Sequence, residues 1–297
     1  MPELPDLLVI QKRIAPELIG RVIEAATVSE PIVLRILEHG DFKDLLAGQR
    51  IRDFRRHGPF LRLELERHDL VMHLMLAGRL RLGLREEKRL AHTAFTLELD
   101  AQGRLSYGDE KNMGKVYLCP KGCFESIPGY LSQGIDITGG DFSWELFSVL
   151  IDGKRNQARV FIMDQRILSA IGNAYADEIL FEAGIHPKTP CCKLLEAEKH
   201  KLFEAIGSVI AWGTDEVEKA QRPTEDKVRG HMRVRNRGGQ ACPRCGATIR
   251  KAGVLGFDSF FCPGCQSDRT GRGLDWNKLS AVQPPVPQAA PPGKKGS

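Results

Sequence analysis

Two pairs of cysteines constrain this chain more than any other feature. Cys242-Pro-Arg-Cys245 and Cys262-Pro-Gly-Cys265 are C-x-x-C knuckles, with sixteen residues between Cys245 and Cys262. A C-x-x-C turn aims two thiolates at one ion, and two such turns at the ends of a short hairpin close a tetrahedron. The spacing predicts a four-cysteine ribbon over residues 236–268 holding one structural Zn2+, with no open coordination position for catalysis. Gly246 and Gly264 stand where knuckle turns need a small residue. A redox dithiol pair, or iron in place of zinc, would use the same ligands and stays open at this point. A segment this short has no core of its own, so metal binding would supply its folding energy. Cys119, Cys123, Cys191 and Cys192 have no matching spacing and read as reduced thiols of a cytoplasmic protein.

The ribbon sits at the end of a basic stretch. Arg222 to Lys251 holds nine Lys/Arg against two acids, a surplus of +7, while the whole chain of 297 residues carries +5. The remainder is therefore −2. A basic segment on a near-neutral body points to a polyanion partner, nucleic acid before membrane, although a solvated basic loop has the same composition. No apolar run approaches the roughly 20 residues of a membrane span, and the amino end lacks the basic-then-apolar order of a signal peptide.

Hydrophobic period divides the rest. Leu7, Val9, Ile10, Ile14 and Leu18 recur at helical spacing, with Asp6 as the expected cap. Residues 62–66, 71–75, 79–82 and 95–99 alternate as half-buried strands, separated by turn signals, which predicts a β-sandwich or barrel. Helical periods follow over 144–150, 158–168, 173–183 and 194–212. The expected fold is α+β and multidomain: an N-terminal helix plus β-sandwich (1–125), a linker (126–140), a helical domain (141–235), the ribbon (236–268) and a Pro-rich disordered tail (269–297).

The chain starts Met1-Pro2-Glu3-Leu4-Pro5-Asp6. Removal of the initiator Met exposes Pro2 as a secondary amine. An α-amino group has a pKa near 8, so it can be neutral and attack a carbonyl-like carbon. Glu3 beside it offers acid/base chemistry. Alone, the same residues are an ordinary helix start. Together with Gly172-Asn173-Ala174-Tyr175-Ala176-Asp177-Glu178, Phe161-Ile162-Met163-Asp164-Gln165, Ala183-Gly184-Ile185-His186-Pro187 and the four-cysteine ribbon, the chain resembles the formamidopyrimidine-DNA glycosylase / endonuclease VIII family from residue 2 to about 268.

The resemblance implies a bifunctional DNA glycosylase / AP lyase of base excision repair. Such a protein bends duplex DNA, flips a damaged base and fills the vacancy with inserted side chains. It implies Pro2 as the nucleophile that forms a Schiff base with the sugar, and Glu3 as the acid/base group. Asn173 would grip a phosphate near the lesion, or simply cap its helix. Leu76, in the loop His73-Leu74-Met75-Leu76-Ala77-Gly78, stands where the family's wedge, usually Met, is found. The implied helical domain is the helix–two-turn–helix type. The implied partner is double-stranded DNA with a damaged base or abasic site, bound by a monomer at the cytoplasmic nucleoid.

Departures from the family pattern fall on DNA-contacting positions. Pro59 replaces a Lys in the run Arg55-Arg56-His57-Gly58-Pro59-Phe60-Leu61, leaving Arg56, His57 or Arg62 to compensate. Phe257 replaces the hairpin Arg five residues before the third Cys, and Asp258 adds a negative charge beside it. Asp109-Glu110-Lys111-Asn112-Met113-Gly114 replaces D-P-R-R-F-G, so Lys111 keeps a charge and Met113 an apolar wedge. Arg159 stands where the family often has a Lys, and is expected at the DNA. The expectation is a glycosylase of altered lesion preference. The alternative is a noncatalytic DNA- or lesion-binding relative of the same fold, and a zinc-ribbon RNA-binding or transcription factor is a more distant third.

Overall fold

The structure, a computed structural model, describes residues 1–267. Residue 268 and the expected tail over 269–297 lie outside the described residues.

The first helix, α1 (Leu4–Leu18), places Leu4, Leu7, Ile10, Ile14 and Leu18 on one buried face. That face packs on strand β3 (Ile51–His57) and on a long helix, α6 (Glu196–Lys219). Each such side chain contributes about 1.5–3 kcal/mol on burial. The cap differs from expectation. Glu3 is the N-cap, and its amide donates to the Asp6 Oδ2 at 2.8 Å, so Asp6 sits one turn inside the helix.

Two sheets form the sandwich. One is β1 (Ile23–Val28), β7 (Thr93–Leu99), β8 (Gly103–Asp109) and β6 (Gly78–Leu84), antiparallel in the order β1-β7-β8-β6. The other runs β2-β9-β5-β4-β3 and adds β2 (Leu34–Ile36), β9 (Lys115–Pro120), β5 (His68–His73) and β4 (Phe60–Leu65) to β3. A short helix, α2 (Phe42–Leu46), packs on β1. Strand β5 ends at His73, earlier than its alternation predicts, because Met75 takes φ +46° and turns the chain. Register then fixes the geometry of two loops. His73 pairs with Lys115, and Gly78 with Asp109. The turns 74–77 and 110–114 therefore leave the sandwich side by side.

The connector over 126–140 is pinned on both sides. Ile127 and Tyr130 bury against Phe60, Val71 and Tyr117, Arg56 pairs with Asp136, and Ile135 bridges to Leu168. Beyond it lie α3 (Trp144–Ile151), α4 (Ala158–Met163), α5 (Asn173–Ala183) and α6. The helical period predicted over 158–168 stops at Met163. There the Asp164 carbonyl accepts the amides of Ile167 and Leu168 in a tight turn. Leu168 and Ile171 keep an apolar rhythm because they are buried, not because they are helical. Strands β10 (Arg250–Val254) and β11 (Phe257–Phe261) make the ribbon hairpin. Among the described residues no helix is long and apolar enough to cross a membrane.

Candidate active site

The amino terminus folds into the seam between the sandwich and the helical region. The Leu4 amide donates to the Ala170 carbonyl at 3.0 Å. The Glu3 carboxylate, 5% exposed, accepts the amides of Ala174 (2.9 Å) and Tyr175 (3.0 Å) in the first turn of α5. Free amides and the helix dipole make that end a natural seat for an anion. Gly172 is required here: a Cβ would lie 2.5 Å from the Glu3 Cδ. Burial raises the Glu3 pKa above the ordinary carboxylate value, and the two amides pull it only partly back. The Met1 amine, one residue before Pro2, is pushed down to about 5, chiefly by burial and then by the neighbouring Lys227. Burial in this corner thus disfavours charge on both an amine and a carboxyl.

Behind this pair, Asp6 takes a bidentate contact from Arg229 at 2.8 and 2.6 Å, and the Tyr175 hydroxyl meets His231 Nε2 at 3.2 Å. Glu3 thus occupies two of the amides at the α5 amino end.

Pro2 lines a cavity of about 10 Å³ with Asp6, Leu74, Gly78 and Lys227. The segment 222–229 closes it. Thr224 Oγ1 donates to the Leu80 carbonyl (2.9 Å), Arg81 pairs with Glu225 (3.3 Å), and Lys227 Nζ donates to the Leu76 carbonyl (2.6 Å). Leu76, 47% exposed, tops its turn, and Met113, 42% exposed, tops the adjacent one with exposed Lys111. Asp109 holds that second turn by accepting the amides of Lys111 and Gly114. Three of the residues expected to meet DNA therefore project from one end of the sandwich. The side chains expected to compensate for Pro59 are each engaged within the fold. Arg56 is held by Asp136 and the Gly58 carbonyl, His57 by the Tyr130 carbonyl, and Arg62 by Asp69.

Asn173 opens α5, with Gly172 as its N-cap, so its side chain does not cap the helix. Its Oδ1 instead accepts from Arg159 Nη2 at 2.7 Å. Arg159 departs from expectation: its side chain is 2% exposed, and Nε pairs with Asp177 at 3.1 Å. A guanidinium so enclosed does not reach a phosphate. The wholly buried Asp177 also accepts from Arg235 (2.8 Å), Ser259 Oγ (2.8 Å) and the Phe260 amide (3.1 Å), which fastens β11 to α5. Glu178, next along, accepts the amides of Arg233, Val234 and Arg235. Sequence reading assigned Asp177, Glu178, Arg229 and Arg235 no role. An acid pair in a helix otherwise buried and apolar was the available signal. Phe257, 57% exposed, stands at the start of β11.

The four ribbon cysteines fit one structural zinc ion. Their Sγ atoms lie within 4.8 Å of one another, and a tetrahedron with Zn–S near 2.3 Å spaces its sulfurs about 3.8 Å apart. The Arg244 amide donates to Cys242 Sγ at 3.4 Å, and a Cβ at Gly264 would lie 2.9 Å from Cys245 Sγ. The predicted Gly264 constraint is thus a close approach to sulfur.

Residues 1–116 match the formamidopyrimidine-DNA glycosylase N-terminal domain. Residues 134–222 match the H2TH domain of the same proteins, and residues 239–267 the zinc finger found in FPG and IleRS. The formamidopyrimidine-DNA glycosylase of Heliobacterium modesticaldum is 32% identical over 276 residues, covering 90% of this chain and 100% of that protein. That of Moorella thermoacetica is 31% identical over 260 residues, covering 84% and 94%. Among solved structures, a complex of Lactococcus lactis Fpg with DNA containing an abasic site has a TM-score of 0.81 at 26% identity, covering 90% of this chain and 100% of that one. The wild-type Lactococcus lactis Fpg with DNA containing an oxidized pyrimidine is equally similar in fold, at 27% identity and the same coverage. With an anion-seating α5, a four-thiolate finger and relatives aligned along nearly their whole length, the chain belongs to the formamidopyrimidine-DNA glycosylase family.

Proposed function

We propose that this protein is a base-excision-repair DNA glycosylase with AP lyase activity, acting as a monomer on double-stranded DNA that carries a damaged base or an abasic site. The observation that carries the reading is the desolvated Glu3 carboxyl seated on the α5 amides beside Pro2. With the initiator Met removed, the Pro2 nitrogen lone pair attacks the sugar C1′. The C1′–base bond breaks, the base departs with its electron pair, and Glu3 supplies the proton that the opening sugar needs. The resulting iminium acidifies C2′. Loss of that proton expels the 3′ phosphate, a second elimination expels the 5′ phosphate, and water releases Pro2. Leu76 and Met113 fill the space left by the flipped nucleotide, Lys111 faces the opposite strand, and Asn173 holds a phosphate. Pro59, Phe257 and the Lys111-Asn112-Met113 turn support a lesion preference altered from the family's.

Borohydride reduction tests the reading by trapping the iminium. Wild-type protein on an abasic-site duplex is expected to give a covalent adduct, and Pro2→Gly to lose most of it. Binding without an adduct in the wild type would overturn the enzyme reading in favour of a noncatalytic lesion binder.

A further inference from the structure

One buried carboxylate organises the region where a finger arginine is missing. Asp177 is wholly buried and pairs with two guanidinium groups, Arg159 at 3.1 Å and Arg235 at 2.8 Å. Both guanidinium groups also donate to the Asp258 carbonyl, at 3.3 and 2.9 Å, next to Phe257 on the hairpin. Two cations share one anion, so the cluster carries a surplus of +1 beside Asn173. The two arginines differ in access. Arg159 is 2% exposed and Arg235 18% exposed. Arg159 alone reaches Asn173, donating Nη2 to Oδ1. An amide whose oxygen faces inward presents its two N–H donors outward, the polarity an incoming phosphate requires.

Resting on the reading of Asn173 as a phosphate contact, we infer that Arg159 is a positioning residue that sets the Asn173 amide, and that Arg235 supplies to DNA phosphate the cation absent at Phe257. The phosphate grip is built on the helical side of the hairpin and anchored through Asp177. Asp177 spreads two positive groups in fixed directions: one is consumed inside the fold and the other keeps its charge at the surface. The Asp258 carbonyl holds the hairpin against both, so the finger contributes its backbone where its tip side chain carries no charge.

The test is binding to a duplex carrying a reduced abasic-site analogue, measured across a salt series with zinc-loaded protein. Arg235→Met is expected to weaken binding about tenfold, the loss of one charge-assisted contact, and to lower the salt slope by about one. Arg159→Met is expected to weaken binding as much as Asn173→Ala does while leaving the salt slope unchanged. The double variant of Arg159 and Asn173 should bind no more weakly than either single one. An unchanged slope for Arg235→Met, a lowered slope for Arg159→Met, additive losses in the double variant, or an unaffected Asn173→Ala would each overturn the inference. If Arg159→Met loses zinc or melts early, Arg159→Lys replaces it. Its single ammonium keeps the charge but cannot serve Asp177, Asn173 and Asp258 together, so the same pattern is expected. Failure of wild-type protein to bind this duplex, together with failure to be trapped by borohydride on an unreduced abasic-site duplex, would instead refute the glycosylase reading itself.

Discussion

Glu3, the N-cap of α1, and Asp177, within α5, are both buried acids seated against α5, and they are held in opposite ways. Glu3 arrives from the far end of the chain and is bound by two backbone amides. Asp177 belongs to the helix and is bound by two arginines, a serine and one amide. The first arrangement depends on helix geometry and on one glycine, and most side chains around it can change. The second depends on side-chain identity at several positions at once, so a change in one partner rearranges the rest. On the proposed function, the first corner carries the chemistry and the second the grip on DNA.

The comparison can be broken most directly at the chemistry. Glu3→Gln keeps the size but not the proton, and base excision in single-turnover assays should fall by about 10²–10⁴, with duplex affinity nearly unchanged. A comparable loss of affinity would show that the corner is structural. Asp177→Ala should act the other way, on stability before chemistry. It leaves Arg159 buried and short of its anion, at a cost of about 3–5 kcal/mol, read from the urea midpoint.

Acid should separate the two regions by a smaller amount. Burial and the nearby Lys115 push His73, at the end of β5 beside the 74–77 turn, down from 6.5 to about 4. The folded protein keeps this imidazole neutral while the unfolded chain protonates it. Stability present above pH 6.5 is therefore lost as pH falls from 6.5 toward 4, by up to about 3 kcal/mol. In His73→Gln, urea midpoints across that window should lose this part of the slope; an unchanged slope would move the acid sensitivity elsewhere. Gly172→Ala is the mildest change. Its Cβ crowds the Glu3 carboxyl, with an expected cost of about 1–3 kcal/mol and slower excision, but no change in the salt dependence of binding.

Legibility in the sequence follows the same division. The four cysteines follow from their spacing alone, whereas Pro2 and Glu3 alone read as a helix start, and their roles, with that of Asn173, come from resemblance to the family. The strands and helices followed from period, with errors at their ends where a positive φ at Met75 or the turn at Asp164 overrode it. Arg159, Asp177 and Arg235 were not legible in their roles. Their partners lie up to 99 residues away in the chain, and the acid pair on α5 marks a candidate but not the arginines that enclose it. Asp6 shows the same limit: it looked like a cap, and its main partner is Arg229, 223 residues on.

The contact between Lys227 and the turn beneath Leu76 has a consequence for how this position can vary. Lys227 holds the carbonyl of residue 76, not its side chain. The latch is therefore blind to which residue stands there. Exchanging Leu76 for another side chain, methionine included, leaves this contact in place, and on the proposed function the residue inserted into DNA can change in shape and stiffness independently of it.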